Sequence, residues 1–300
     1  MSIRLNPNLL PDLLLSIQQS SQNQDIATQQ LASGKAVNQL SDNPAAASAL
    51  VTNHDHTTQD DQFLQNITTL QSRFQTADST LSNVVTVLTN AISLGTEGAN
   101  GTMSASDQAA IASEVQGLQT QLVGLANTSF QGTYLFAGTA VNTQPFTLDQ
   151  STGAVTYNGN TGVTSTQLYT GDSINTNVPG SQLFQNASGD AFAALQNLTS
   201  SLTSNTNIGA AVTQVQNALS QVSVQRVFYG NALNQVSTAE NFLNQDKLDL
   251  SSQENTLVGA DLAAVASNLA QAQTANQATI AATGRILSEP NLLDYITTTN

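Results

Sequence analysis

From Asp60 onward the apolar residues of this chain fall into a regular rhythm. Phe63, Ile67, Leu70, Phe74, Ala77, Leu81, Val84, Leu88 and Ala91 follow one another in alternating steps of four and three. An α-helix completes a turn every ~3.6 residues, so such steps hold the side chains in one stripe, the seam of a helix packed along its length on another. The stripe runs into "LGTEGANGTMSASD", where Gly95, Gly98 and Gly101 predict a turn. It resumes with Ile111, Val115, Leu118, Leu122 and Leu125 in the same steps. The two stripes predict an antiparallel helical hairpin. Gly117 and Gly124, seven residues apart on its second arm, either admit a close backbone or are tolerated at about 1 kcal/mol each.

The pattern then changes. Between Phe130 and Asn186, runs such as "AVTYNG" and "STQLYTG" alternate β-forming residues with turn residues, which predicts a small β-rich insertion. The chain has nine Phe, five Tyr and no Trp, yet Phe130, Tyr134, Phe136 and Phe146 gather where the helical hairpin gives way to this insertion. They are read as a local hydrophobic plug. Helical character returns at "DAFAALQNLTSSL", and Val222, Tyr229, Val236, Leu243, Leu250, Leu257 and Ala264 recur every seven residues. Their companions four residues on are mixed, with Leu233 apolar but Arg226, Glu240, Lys247, Glu254 and Asp261 charged, so this seam is narrower.

Both ends carry weaker stripes. Leu13, Ile17, Ala27 and Leu31 keep heptad spacing with Ser20 and Gln24 between them. Leu262, Ala266, Leu269, Ile280 and Leu287 do so near the carboxyl end, interrupted by Gln273, Asn276 and Thr283. Stripes of this kind bury too little apolar area to offset chain entropy alone, so the terminal helices are expected to order against partners. Pro290 is expected to end the last helix. Beyond it, Leu292, Leu293, Tyr295 and Ile296 form a short apolar stripe suited to a partner surface.

Composition narrows the function. Only 9% of residues are charged; about 130 of the 300 are Asn, Gln, Ser or Thr, well above ordinary globular usage. The net charge of −14 includes six scattered basic residues, Arg4, Lys35, Arg73, Arg226, Lys247 and Arg285. No basic stripe exists to neutralise phosphates or hold an anionic membrane, so neither nucleic acid nor membrane is an expected partner. Cysteine is absent, which removes disulfides, thiolate metal sites and a cysteine nucleophile. His54 and His56 in "NHDHTTQDD" sit two residues apart, on different faces of a helix, whereas zinc needs three or four converging ligands. There is no His-Glu-x-x-His, phosphate-binding loop or Gly-x-Ser-x-Gly elbow. No enzymatic activity, cofactor or metal is expected. The amino terminus, broken by Pro11 and Asp12, lacks the pattern of a cleaved signal peptide.

In "LASGKAVNQLSDNPAAASAL" (31–50), Asp42 or Asn43 can cap a helix and Pro44 suits its first position. This segment resembles the amino-terminal motif of the flagellin superfamily, with Asn43 where members usually carry a second acidic residue. "NTSFQGTYLFAGT" (127–139), followed by Pro145 and Phe146, resembles the family's exit from the helical hairpin into its outer domain. "QRVFYGNALNQV" (225–236) resembles its carboxyl-terminal core helix, and "EPNLLDYI" (289–296) the ending of its hook–filament junction branch.

The resemblance implies a mainly α, flagellin-like fold: a long antiparallel coiled coil or helical bundle formed by both chain ends, with a small β-rich insertion at the tip. The expected domains are terminal assembly helices (1–43 with 261–300), a helical core (44–128 with 188–260) and an outer domain (129–187). It implies an extracellular structural subunit joining flagellar hook to filament, exported by the flagellar type III route without a cleaved signal peptide. The implied partners are neighbouring copies, the adjoining hook-associated protein on the hook side, flagellin on the filament side and a cytoplasmic export chaperone. Leu13, Ile17, Leu31, Leu287, Leu292, Leu293 and Ile296 are the candidate subunit or chaperone contacts. A filament flagellin and a secreted coiled-coil adhesin are the alternatives.

Overall fold

A computed structural model describes residues 9–39 and 41–288. In chain order the helices are α1 (Leu9–Ser33), α2 (Pro44–Gly98), α3 (Ala105–Ala126), α4 (Gly180–Phe184), α5 (Ala191–Ser204), α6 (Ile208–Val258) and α7 (Leu262–Ser288). Eight strands of two to five residues, β1 to β8, fall between 129 and 190. The fold is mainly α with a small β-rich segment. It divides into a terminal unit, Met1–Thr58 with Lys247–Asn300, and a central unit, Gln59–Asp246.

Four helices frame the central unit: α2 runs antiparallel to α3 and α6, and α5 runs antiparallel to the same two. Phe74 of α2 meets Tyr229 of α6 edge-on with ring centroids 6.1 Å apart. One turn along, Asp78 accepts two hydrogen bonds from Arg226, at 2.6 and 3.1 Å. On the other side, the Gln108 amide of α3 donates to Asn205 at 2.9 Å and that of Gln119 to the Phe192 carbonyl at 3.4 Å, fixing α3 against α5. One connected apolar core runs from Ile67 to Leu243 and lies wholly within this unit. α3 starts on a capping box, in which Ser104 and Asp107 satisfy each other's backbone N–H groups.

The turn expected from the three glycines begins later than the sequence suggests. α2 continues through Gly98, and Gly95 and Gly98 hold the next two positions of the four-and-three rhythm. A Cβ on Gly95 would lie 2.7 Å from Val212 and 2.9 Å from Leu198, and one on Gly98 would strike Leu202. These glycines stay in the seam because α5 and α6 approach too closely for a side chain. Only Gly101 lies in the turn. Gly117 and Gly124 have open space around them, so they are tolerated rather than required.

On α6, Val222, Tyr229, Val236 and Leu243 are buried as their spacing predicts. Ile208, Val215, Tyr229 and Val236 have their buried companions, Ala211, Ala218, Ala232 and Ala239, three residues on rather than four. The charged residues at the fourth place stand beside the seam, and Arg226 is held there by Asp78. Its guanidinium pKa is raised, chiefly by that hydrogen bond. Within the helices, hydroxyl side chains turn back on their own backbone. Thr57, Thr68, Thr76, Thr80 and Thr86 of α2 each donate to the carbonyl four residues earlier, at 2.8 to 3.1 Å.

Between α3 and α5 the eight strands form four separate antiparallel hairpins rather than one sheet. The hairpin of β1 (Ser129–Phe130) and β2 (Thr133–Tyr134) closes on Gln131 and Gly132. β3 (Phe146–Leu148) pairs with β4 (Val155–Tyr157), β5 (Ser165–Tyr169) with β6 (Asp172–Asn175), and β7 (Gln185–Asn186) with β8 (Gly189–Asp190). Two-stranded ribbons are marginal alone. These are held by side chains packed on the helices.

Candidate assembly surface

The seam side chains of the helical hairpin, Ile67, Leu70, Phe74, Leu81, Leu88, Ile111, Val115 and Leu122, are all buried. Phe63 and Leu118 are half-buried against the same core. The positions beside Leu118 and Leu125 that α3 buries instead are Gln119 and Ala126. Gln119 reaches the Gly153 carbonyl of the β3–β4 loop at 2.9 Å.

At the transition from α3 to the hairpins, Phe146 is the centre of the aromatic cluster. Its ring lies 5.0 Å from those of Tyr157 and Phe192 and 5.6 Å from Phe184. Phe136 meets Phe184 edge-on at 5.5 Å. Asn127, the last cap of α3, clamps Phe146 from both sides, donating to its carbonyl at 2.8 Å and accepting its N–H at 2.9 Å. Phe136 is buried, whereas Phe130 and Tyr134 are half-buried on their hairpin. Phe184 and Phe192, more than thirty residues on, complete the cluster. Sequence spacing carries no signal for that contact. Deeper in the unit, burial holds the Tyr229 phenol well above its ordinary pKa, against the opposing pull of the Val178 N–H and the Arg73 guanidinium. Arg73 is itself lowered by burial.

The terminal unit has the opposite character. α1 and α7 lie antiparallel. Ile17, Ser20, Gln24 and Ala27 of α1 face Val265, Leu269, Ala272, Asn276, Thr279 and Thr283 of α7 as the less exposed positions. The Ser20 hydroxyl donates to the Ala272 carbonyl at 3.3 Å, and the Asn276 amide to Gln24 at 3.2 Å. Each helix thus serves as the partner the other requires, through a seam that is largely polar. The register differs from the expected one. Leu269, Asn276 and Thr283 keep their places, but Val265, Ala272 and Thr279 replace Leu262, Ala266, Gln273 and Ile280, which face outward. On α1, Leu31 is likewise off the seam and exposed, and the half-buried Gln30 takes its place.

The apolar side chains are therefore outside. Leu14 and Leu15 are each 63% exposed and Ile280 is 56% exposed, with Ile26, Leu31, Val51, Leu248 and Leu262 similar. Among the described residues, the buried apolar side chains of this unit are Ala27, Ala46, Ala47, Leu250, Val258 and Val265, mostly small. Ile17 is half-buried. The side chains of Leu13 and Leu287, and all of Pro290, Leu292, Leu293 and Ile296, lie outside the described residues. Leu14, Leu15, Ile26, Val51 and Leu248 were not legible as surface candidates by periodicity, although each falls off every four-and-three stripe.

Asn43 and Asp42 divide the capping between them. Asn43 caps α2 by accepting the Ala46 N–H at 3.1 Å, while Asp42 closes the preceding loop on the N–H groups of Asn38 and Gln39 at 3.0 and 2.9 Å. His54, Asp55 and His56 are exposed on α2, and among the described residues no group of three or more acidic, His or Cys side chains could hold a metal. No described helix is long and apolar enough to cross a membrane.

Residues 11–141 match the family described as bacterial flagellin N-terminal helical region, and residues 212–296 the bacterial flagellin C-terminal helical region. Together the matches span well over half of the chain. The sequence is 29% identical over 272 residues to flagellar hook-associated protein 3 of Escherichia coli K12, covering 83% of this chain and 86% of the relative. It is 28% identical over 276 residues, with the same coverage, to flagellar hook-associated protein 3 of Salmonella typhimurium LT2. The fold is that of a solved flagellar hook-associated protein from Vibrio parahaemolyticus, with a TM-score of 0.66 at 19% identity over 73% of this chain and 100% of that one. It is also that of the Legionella pneumophila flagellar junction protein FlgL, with a TM-score of 0.61 at 17% identity over 71% of this chain and 100% of that one.

Proposed function

This chain belongs to the bacterial flagellin family, and we propose that it is the structural subunit joining the flagellar hook to the filament. One observation carries the reading. The relationship to hook-associated protein 3 of two bacteria covers 83% of the chain, and the flagellin family matches take in residues 11–141 and 212–296. A filament flagellin is not favoured by that relationship.

The exposed apolar side chains of the terminal unit support a role in assembly. Residues 1–43 and 261–300 are the segments that meet neighbours, with Ile17 and Leu31 of α1 and the carboxyl-terminal Leu292, Leu293 and Ile296 among the contacts. The neighbours are other copies of this chain, the adjoining hook-associated protein on one side and flagellin on the other. An export chaperone covers the carboxyl end before assembly, which keeps those apolar residues from water during synthesis. The protein resides outside the cell, in the flagellum. It performs no catalysis.

Immunogold labelling of intact flagella tests the assignment. A single band where hook meets filament is expected, together with shedding of flagellin monomers into the medium when the gene is deleted. Label along the whole filament would instead make the chain a flagellin.

A further inference from the structure

The two interruptions in the long helices of the terminal unit meet each other. α1 ends at Ser33 and α2 starts at Pro44, while α6 ends at Val258 and α7 starts at Leu262. Between them Lys35 and Gly259 pair as an isolated antiparallel β-bridge. The Ala36 N–H donates to the Val258 carbonyl at 2.6 Å and the Ala260 N–H to the Gly34 carbonyl at 3.0 Å. Lys35 Nζ lies 3.5 Å from Glu254 Oε1 on the last turn but one of α6.

The surrounding residues shape this contact. Gly34 has a φ of +69°, a left-handed conformation that costs little only without a Cβ. A Cβ on Gly259 would strike the Asn255 carbonyl. The Gln30 amide donates to the Ala36 carbonyl at 3.0 Å, holding the strand-like residue from below. The bridging hydrogen bonds are not needed to end the helices, because the Gly34 N–H already closes α1 on the Gln30 carbonyl at 2.9 Å and the Gly259 N–H closes α6 on the Asn255 carbonyl at 2.8 Å. Asn43 already caps α2, and Asp261 caps α7 by accepting the N–H groups of Ala263 and Ala264 at 3.0 and 3.1 Å. The bridge is additional to the caps, and its effect is to tie two separate chain breaks together.

We propose that this bridge is a clasp that turns the two breaks into one joint. α1 and α7 then move as a pair about residues 34–39 and 259–261, relative to the first turns of α2 and the last turns of α6. Without it each break is an independent swivel, and the seam that holds α1 to α7 has Ser20 and Gln24 where apolar anchors would otherwise stand. The clasp keeps their register while leaving their direction free.

The chain has no cysteine, so introduced pairs are the only labelling sites. Gln22, Gln253 and Gln277 are exposed on α1, α6 and α7. In the full chain, spin labels at Gln22→Cys and Gln277→Cys should give one narrow distance by pulsed electron resonance, and labels at Gln22→Cys and Gln253→Cys, across the joint, a broad one. Ala36→Pro, which removes a bridging donor, should abolish the narrow distance while helix content is retained. Lys35→Glu, which keeps every backbone N–H but faces Glu254 with a like charge, should broaden it, and adding Glu254→Lys should restore it. The idea is overturned by a narrow distance across the joint, by an unchanged α1–α7 distance in both Ala36→Pro and Lys35→Glu, or by failure of the charge-swapped pair to recover.

Discussion

The central unit buries a connected core of Ile, Leu, Val and Phe from Ile67 to Leu243, whereas among the described residues the terminal unit buries six apolar side chains, three of them alanine, and exposes Leu14, Leu15, Ile26 and Ile280. Both are built from helices of similar polar composition. They differ in which residues occupy the positions between helices. In α2 those positions are mostly aliphatic and aromatic, and most hydroxyls and amides point out, the buried Thr80 excepted. In the α1–α7 pair Ser20, Gln24, Asn276 and Thr279 point in. Hydrogen bonds exchanged for bonds to water contribute only about 1 kcal/mol each, while each buried Leu or Phe contributes about 1.5 to 3 kcal/mol. The central unit is therefore expected to fold as a monomer, and the terminal unit leaves apolar side chains exposed.

The sharpest way to break this contrast is to place the same charge in each unit. Leu81→Asp puts an unpaired carboxylate into the fully buried α2 seam, and a loss of about 4 kcal/mol or more is expected, visible as collapse of the denaturation midpoint. Val265→Asp should separate α1 from α7 and leave the main unfolding transition unchanged. Equal losses from the two would end the distinction. Phe146→Ala should come next, at about 3 to 5 kcal/mol, because the ring contacts three other aromatics.

Glycine substitutions sharpen the comparison within the central unit. Gly98→Ala should destabilise by about 1 to 3 kcal/mol, since its Cβ meets Leu202. Gly117→Ala and Gly124→Ala, with open space around them, should each stabilise by about 0.5 to 1 kcal/mol in thermal melts. Smaller still is the expected change in monomer stability for Leu14→Ser with Leu15→Ser and Ile26→Ser, within about 0.5 kcal/mol per site. Filament attachment in cells should nevertheless fail. A triple variant with normal filaments would mean that this surface has no partner.

The smallest effect concerns an exposed turn. Hydrogen bonds from Ser151 and Thr152 lower the Asp149 carboxyl from 3.8 to about 2. A folded pKa below the unfolded one gives stability that is complete above pH 3.8 and is lost as pH falls toward 2. Carbon-detected NMR titration should show that low midpoint, and Asp149→Asn should remove the acid-side slope it causes.

Where side-chain size and periodicity agreed, the sequence was a sufficient guide. The stripe from Phe63 to Ala91 is the seam of α2, and the sevenfold repeat from Val222 to Leu243 is that of α6. Where the packing residue is small, periodicity misleads. Gly95 and Gly98 carry the seam as a close approach, yet read as a turn, and Ala218, Ala232 and Ala239 lie hidden beside the more conspicuous Arg226 and Glu240. Where the packing residue is polar, the apolar stripe marks the outside instead, as Leu31, Leu262 and Ile280 do. The long-range meeting of Phe146 with Phe184 and Phe192 depends on the path of the hairpins, which local spacing does not encode.

The hydroxyl groups that fold back on their own helix have a consequence for crowding. Coulomb repulsion between identical bodies grows with the square of their charge, and water is held far more tightly by a carboxylate than by an alcohol. A threonine such as Thr68 or Thr86, whose proton is already given to a carbonyl of its own turn, gives up little hydration when another surface slides over it. Such a coat matches no particular counterpart and penalises few, so two bodies can meet at several offsets for nearly the same free energy. A flank of that kind leaves direction and register to be supplied elsewhere.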